Sequence, residues 1–149
     1  MTIRPGPADD VTQLRALLLA GQRFRQAMAG HFELSLSETV VLGHLADAGG
    51  QLVPGELSER MLIGSGTLTA VIDRLAGGGY VQRHPHAHDR RRVQVALTPA
   101  GRRVTRYVRQ HMERALAAAN AGAATPLPRL GSLAVALDAE TRRILRRRV

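Results

Sequence analysis

Three hydroxyls and a cluster of arginines are the residues of this 149-residue chain whose types and spacing could do chemistry. Ser65, Thr67 and Thr69 stand close together in GSGTLTAVIDRLAGGGYVQR, the run from Gly64 to Arg83, with Ala70 and Arg74 just after them. Hydroxyls and guanidinium groups contact base edges and phosphate oxygens, and short neighbours such as Gly66 let a helix backbone come close to a groove. Ala70 offers a methyl, suited to contact with a thymine methyl. Arg74 could bind phosphate, or pair with Asp73 or another acid. The next run, HPHAHDRRRVQVALT, brings Asp89, Arg90, Arg91 and Arg92 to one basic tip. This is chemistry of recognition, and bond-making chemistry is poorly represented. There is no phosphate-cradling Gly-Lys-Ser/Thr loop, no His-Glu-x-x-His and no cysteine, and Gly64-Ser65-Gly66 lacks the Gly-x-Ser-x-Gly frame. No catalytic residue, metal or cofactor is therefore expected, and the chain does not read as an enzyme. His84, His86 and His88 alternate and would share one face of a strand, but a wing interrupted by Pro85 makes a poor metal cage, so a polar or phosphate-contacting tip is the expectation.

These groups need a helix and a hairpin to present them. Leu68, Val71, Ile72 and Leu75 recur at i, i+3, i+4 and i+7, one buried helical stripe, which turns Ser65, Gly66, Thr69, Ala70, Asp73 and Arg74 outward. Gly77, Gly78 and Gly79 supply the stop, since glycine enters the left-handed region without a Cβ penalty. The period then changes from 3.6 to 2. Tyr80 to Arg83 predict a short strand, Pro85 to Asp89 a turn, and Val93, Val95 and Leu97, alternating with Arg92, Gln94 and Ala96, a second strand with one apolar face. Thr98 as N-cap and Pro99 at the first helical position open the next helix.

Around this reading head the chain is mostly helical. A helix from about Asp9 to His31, capped by Asp9 or Asp10, carries Leu14, Leu17, Leu18, Phe24 and Met28 as its stripe. Ser35-Leu36-Ser37-Glu38 fits a capping box opening a helix through Val41, Leu42 and Leu45 that stops near Gly49-Gly50. Pro54 opens a short helix with Leu57 and Met61. A long helix runs from Pro99 to about Ala121, and after Pro126 and Pro128 a final one runs from Leu127 to Arg148. The terminal helices hold apolar residues that a small winged domain cannot cover, which points to a second copy of the chain.

Charge is placed unevenly. Residues 1–59 carry 4 Arg against 7 acids, residues 60–114 carry 11 against 3, and residues 115–149 carry 6 against 2, within a net charge of +9. All 21 basic residues are Arg, so position says more than the total. The excess lies on the proposed reading segment, where it attracts phosphate through counterion release. With Cys at 0, a disulfide framework and a thiolate metal cage are excluded. No apolar run approaches ~18 residues and no signal-peptide pattern opens the chain, so a cytoplasmic, nucleoid-associated protein without membrane contact is expected.

From about Leu34 to Arg103 the sequence resembles the winged helix-turn-helix of the multiple-antibiotic-resistance regulator (MarR) family. The matching pieces are Leu34-Ser35 with Glu38, Gly55-Glu56-Leu57, Ser65-Gly66-Thr67-Leu68-Thr69, Asp73-Arg74-Leu75, Gly79-Tyr80-Val81, Asp89-Arg90-Arg91 and Leu97-Thr98-Pro99-Ala100-Gly101. The resemblance implies a mostly α fold with a small β-hairpin wing. Residues 1–33 would be an N-terminal dimerisation helix, 34–98 the DNA-binding domain and 99–149 C-terminal dimerisation helices. It implies a homodimeric repressor on double-stranded DNA, with two recognition helices roughly 34 Å apart on a pseudo-palindromic operator. Arg91 would enter the minor groove with Asp89 orienting it. Phe24, Met28, His31 and His44 fall near the family's effector crevice, implying release by a small aromatic or anionic ligand; core packing and ordinary histidines are the alternative. Two other functions fit the residues: an architectural DNA binder without an effector, and a winged-helix protein-interaction module.

Overall fold

The structure, a computed structural model, describes residues 7–86, 89–121 and 130–146, with the side chains of residues 7–9, 90, 91, 132, 143 and 144 outside the description. The order of elements is α1 (Pro7–His31), α2 (Leu36–Asp47), β1 (Gln51–Leu52), α3 (Pro54–Met61), α4 (Ser65–Gly77), β2 (Val81–His86), β3 (Asp89–Leu97), α5 (Pro99–Asn120) and α6 (Leu130–Arg146). This is a mostly helical chain with a small antiparallel sheet, the winged-helix arrangement.

Local chemistry sets the boundaries. The capping box before α2 is formed: the Glu38 N–H donates to Ser35 Oγ at 3.2 Å and the Ser35 N–H to Glu38 Oε2 at 2.7 Å, so two otherwise orphaned donors are satisfied reciprocally. Gly49 and Gly50, at φ +80° and +105°, end that helix in the left-handed region and turn the chain into β1. Pro54 sits in the first turn of α3, where its missing N–H costs nothing. After α4 one glycine of the expected three does the turning. Gly79 has φ +75°, whereas Gly77 is still helical and Gly78 keeps φ −78°.

Sheet order is β1-β3-β2, all antiparallel. Val81 pairs with Leu97 and Arg83 with Val95, so these positions share one face, and Val81, Val95 and Leu97 are buried. They join Val41, Leu42 and Leu45 of α2, Leu57 of α3 and Leu68, Val71, Ile72 and Leu75 of α4 in one apolar cluster. Truncating any of its fully buried leucines to alanine would cost about 2–5 kcal/mol. The stripe read from α4 is thus the stripe that is buried.

The chain divides after Arg109 into two compact units. The first holds every buried residue of the described core. The second holds the remainder of α5 and α6, whose half-buried Leu133 and Leu137 lie four apart on one face.

Several boundaries differ from expectation. Helix α1 already runs through Asp9 and Asp10 from Pro7, so neither is its cap. Within its stripe Leu14, Phe24 and Met28 are half-buried, but Leu17 and Leu18 are exposed. Of the turn expected at Pro85 to Asp89, Pro85 and His86 belong to β2 and Asp89 to β3, and residues 87 and 88 lie outside the described residues. Pro85 is tolerated within β2 because that strand is a sheet edge, where a missing N–H breaks no ladder. A register shift follows between Pro85 and His86. Val93 is exposed despite its apolar phase, since the outer hairpin extends past the core. Strand β1 was not foreseen: two residues carry no periodicity. The described part of the last helix begins at Leu130; residues 127–129, 147 and 148 lie outside the description. Among the described residues no helix is long and apolar enough to cross a membrane.

Candidate nucleic-acid interface

Helix α4 is anchored on one side and open on the other. Ser65, Gly66, Thr67, Thr69, Ala70, Asp73 and Arg74 are all exposed, as their phase against the buried stripe requires. Two rows run along this open side: Ser65, Thr69 and Asp73 at i, i+4 and i+8, and Thr67, Ala70 and Arg74 at i, i+3 and i+7. The N-cap is Gly64, which makes no side-chain cap bond, and no acid lies in the first turn. Ser65 and Thr67 are therefore not caps, and the partial positive charge of the helix start is not offset by a local carboxylate.

Hydrogen bonds limit what the hydroxyls can do. Thr69 Oγ1 donates to the Ser65 carbonyl at 2.8 Å, so its proton is held within the helix and its methyl and lone pairs are what it presents. Asp73 pairs with Arg83 Nη1 of β2 at 2.7 Å, tying the open face of α4 to the hairpin.

Of the two partners expected for Arg74, the structure contains the acid, and it is Glu38 rather than Asp73. Arg74 Nε donates to Glu38 Oε1 at 2.8 Å. Burial pushes the Glu38 carboxyl up, but the Ser35 N–H, the Arg74 N–H and the Arg74 charge outweigh it and hold the pKa below the ordinary value of 4.5. Sequence reasoning missed this pair, since it joins residues 36 apart; Glu38 is visible in the sequence as a capping residue and as part of the family resemblance, not as a partner of Arg74.

The hairpin is fixed at its base. Thr98 N–H donates to the Tyr80 carbonyl at 3.0 Å, Thr98 Oγ1 donates to the Gly79 carbonyl at 2.6 Å, and that hydroxyl accepts the Gly101 N–H at 3.2 Å. Thr98 thus caps α5 as expected and clamps the hairpin to it. At the far end Asp89 and Arg92 are exposed, whereas the side chains of Arg90 and Arg91, and His88 entirely, lie outside the described residues.

The four residues expected at an effector crevice fall into different surroundings. His31 stacks on Tyr107 of α5 with ring centroids 4.8 Å apart and planes 5° from parallel, and Phe32 packs edge-on against both rings. The sequence places Tyr107 on the apolar side of the long helix from Pro99 but gives no sign of its contact with His31. His44 is half-buried on α2; burial first and the Arg60 charge next push its pKa below 6.5, against a smaller pull from Asp47. Phe24 and Met28 are half-buried on α1.

A family model described as MarR family matches residues 32–92, from the end of α1 into β3. The chain is similar to the HTH-type transcriptional regulator TtmR of Methylorubrum extorquens, 37% identical over 82 residues, which are 55% of this chain and 41% of that protein. It spans about half the length of the curated relatives it matches. Among solved structures it is similar to RV1404 from Mycobacterium tuberculosis, with TM-score 0.64 and 26% identity over 94% of this chain and 95% of that one. It is also similar to a mutant MarR from E. coli complexed with operator DNA, with TM-score 0.54 and 25% identity over 71% and 78% of the two chains.

Proposed function

The chain belongs to the MarR family of transcriptional regulators, and from that premise we propose that it is a homodimeric repressor that binds a pseudo-palindromic operator and is released by a small ligand. The observation that carries the reading is α4, whose apolar stripe is buried while Ser65, Gly66, Thr67, Thr69 and Ala70 are exposed. A helix anchored by one side offers the other to a major groove, and these side chains are short enough for close approach. Its uncompensated N-terminus favours a phosphate. Arg74 and the hairpin residues Asp89, Arg90, Arg91 and Arg92 flank that face, with Arg91 as the minor-groove contact. The operator DNA held by the similar E. coli MarR supports double-stranded DNA as the partner.

Exposed apolar side chains support a second copy. Leu17 and Leu18 of α1, Met112 and Leu116 of α5, and Val135 and Leu145 of α6 are each at least 43% exposed, surface that a symmetric partner would cover. Residues 1–33 and 99–149 would then be the dimerisation helices and 34–98 the DNA-binding domain. For the effector, His31 with Phe32 and Tyr107 offers an aromatic surface; His44 stands apart beside Arg60.

A mobility shift on DNA upstream of the gene, with random DNA as competitor, tests the reading. A specific shift is the expected result. A shift abolished equally by random DNA makes the chain an architectural binder, and no shift at all removes the DNA-binding role. Arg91→Ala should weaken binding by about 1–3 kcal/mol and make the log affinity against log salt slope shallower by about one.

A further inference from the structure

The carboxylate of Glu38 is connected on both oxygens. Oε2 accepts the Ser35 N–H at 2.7 Å as half of the capping box, and Oε1 accepts from Arg74 Nε at 2.8 Å. A capping glutamate needs one oxygen to close its box, and here the second reaches a different helix. The two partners differ sharply in exposure: the Glu38 side chain is 9% exposed and that of Arg74 is 55% exposed. A nearly buried acid fastened to the α2 backbone therefore holds an arginine that projects onto the open side of α4, in line with Thr67 and Ala70. The bond is made by Nε, one of the five N–H donors of the guanidinium. Arg74 sits in the latter half of α4, past the positions suited to bases and where a cation would meet the backbone of a duplex.

We propose that Glu38 is a positioning residue for DNA: through Nε it fixes the Arg74 guanidinium in a conformation that meets a phosphate when α4 lies in the major groove. An arginine left free loses rotamer entropy on being ordered, and one already held by Glu38 has met part of that cost in folding. The inference rests on the proposed DNA-binding reading. It adds to that reading that an acidic residue strengthens binding to an anion, the opposite of its bare electrostatic effect. Removing one negative charge near DNA by itself tightens binding.

The test is a double-mutant cycle on operator affinity in the full chain, with melting temperatures as a control. Glu38→Gln keeps an oxygen for the Ser35 N–H, as glutamine does in other capping boxes. It should weaken operator binding about threefold or more in the wild-type background and less than about twofold in the Arg74→Ala background. Arg74→Lys, which keeps the charge and lacks Nε, should lose affinity as Arg74→Ala does. Binding by Glu38→Gln as tight as or tighter than wild type overturns the proposal, as does an equal loss with and without Arg74. Both outcomes leave the wild-type shift, and so the DNA-binding reading, intact. A wild-type chain that shifts no DNA overturns both.

Discussion

Gly101 brings the first turn of α5 so close to the Tyr80 carbonyl that no Cβ fits between them. That oxygen accepts the Thr98 N–H, and Gly101 is itself buried, so the junction of hairpin and helix is built from backbone in contact with backbone. A flexible side chain could move aside, but a carbonyl held by a hydrogen bond cannot do so without shifting β2.

Gly101→Ala should therefore destabilise the fold by about 1–3 kcal/mol, the usual cost of overpacking. Gly43, inside α2 with open space where a Cβ would project, provides the contrast. Gly43→Ala should stabilise by about 0.5–1 kcal/mol, because alanine loses less backbone freedom in a helix. Urea unfolding of both variants decides the matter, and equal midpoints would remove the close-approach argument.

Acid should weaken the domain in two stages, both through α2. His44 has a folded pKa below 6.5 because burial and Arg60 disfavour its charge, so it binds a proton more weakly folded than unfolded. Its contribution is complete above 6.5 and is lost as pH falls through the lowered value. Glu38, held below 4.5, contributes fully above 4.5 and loses that contribution as pH falls further. Urea midpoints at constant protein concentration should be level from about pH 8 to about 7, decline below about pH 6.5, and decline again below about pH 4.5. His44→Gln should flatten the first decline and leave the second. A midpoint that rises on acidification from neutrality contradicts the sign for His44, and one that rises as pH falls below about 4.5 contradicts it for Glu38.

The ring contacts of His31 predict a measurable coupling between α1 and α5. Stacked and edge-on aromatic pairs contribute about 0.5–1.5 kcal/mol beyond their buried area. A double-mutant cycle of His31→Ala and Tyr107→Ala should return a coupling in that range, and Phe32→Leu should lower it because Phe32 packs on both rings. Strict additivity of the two alanine variants would show that the stacked geometry contributes nothing.

What could be read from the sequence was periodic or local. The α4 stripe, the capping box at Ser35, the Pro54 start and the Thr98-Pro99 start each follow from side chains within eight residues of one another, and all four formed. What escaped reading depends on folding distant residues together. The partner of Arg74 lies 36 residues away, Tyr107 reaches His31 from another helix, and β1 is two residues whose only signature is the β3 strand beside it. Pro85 was misplaced for a related reason: a proline marks a turn unless the strand is an edge, and edge status is a property of the whole sheet.

The Thr69 hydroxyl sharpens what the recognition helix can read. Because its proton goes to the Ser65 carbonyl, the groups left for a base edge are the methyl and the oxygen lone pairs, and the neighbouring Ala70 offers only a methyl. This favours apolar contact with thymine methyl groups over hydrogen-bonded readout. Thr69→Ala, which removes both methyl and oxygen, should lower the discrimination between operator and random DNA by about 1 kcal/mol or more. Thr69→Val keeps a methyl and discards the oxygen, and it should retain most of the discrimination. Equal losses in both variants would assign the contact to the oxygen as an acceptor from a base amino group. No loss in either would take Thr69 out of the reading face and leave Ser65, Thr67 and the arginines to account for specificity.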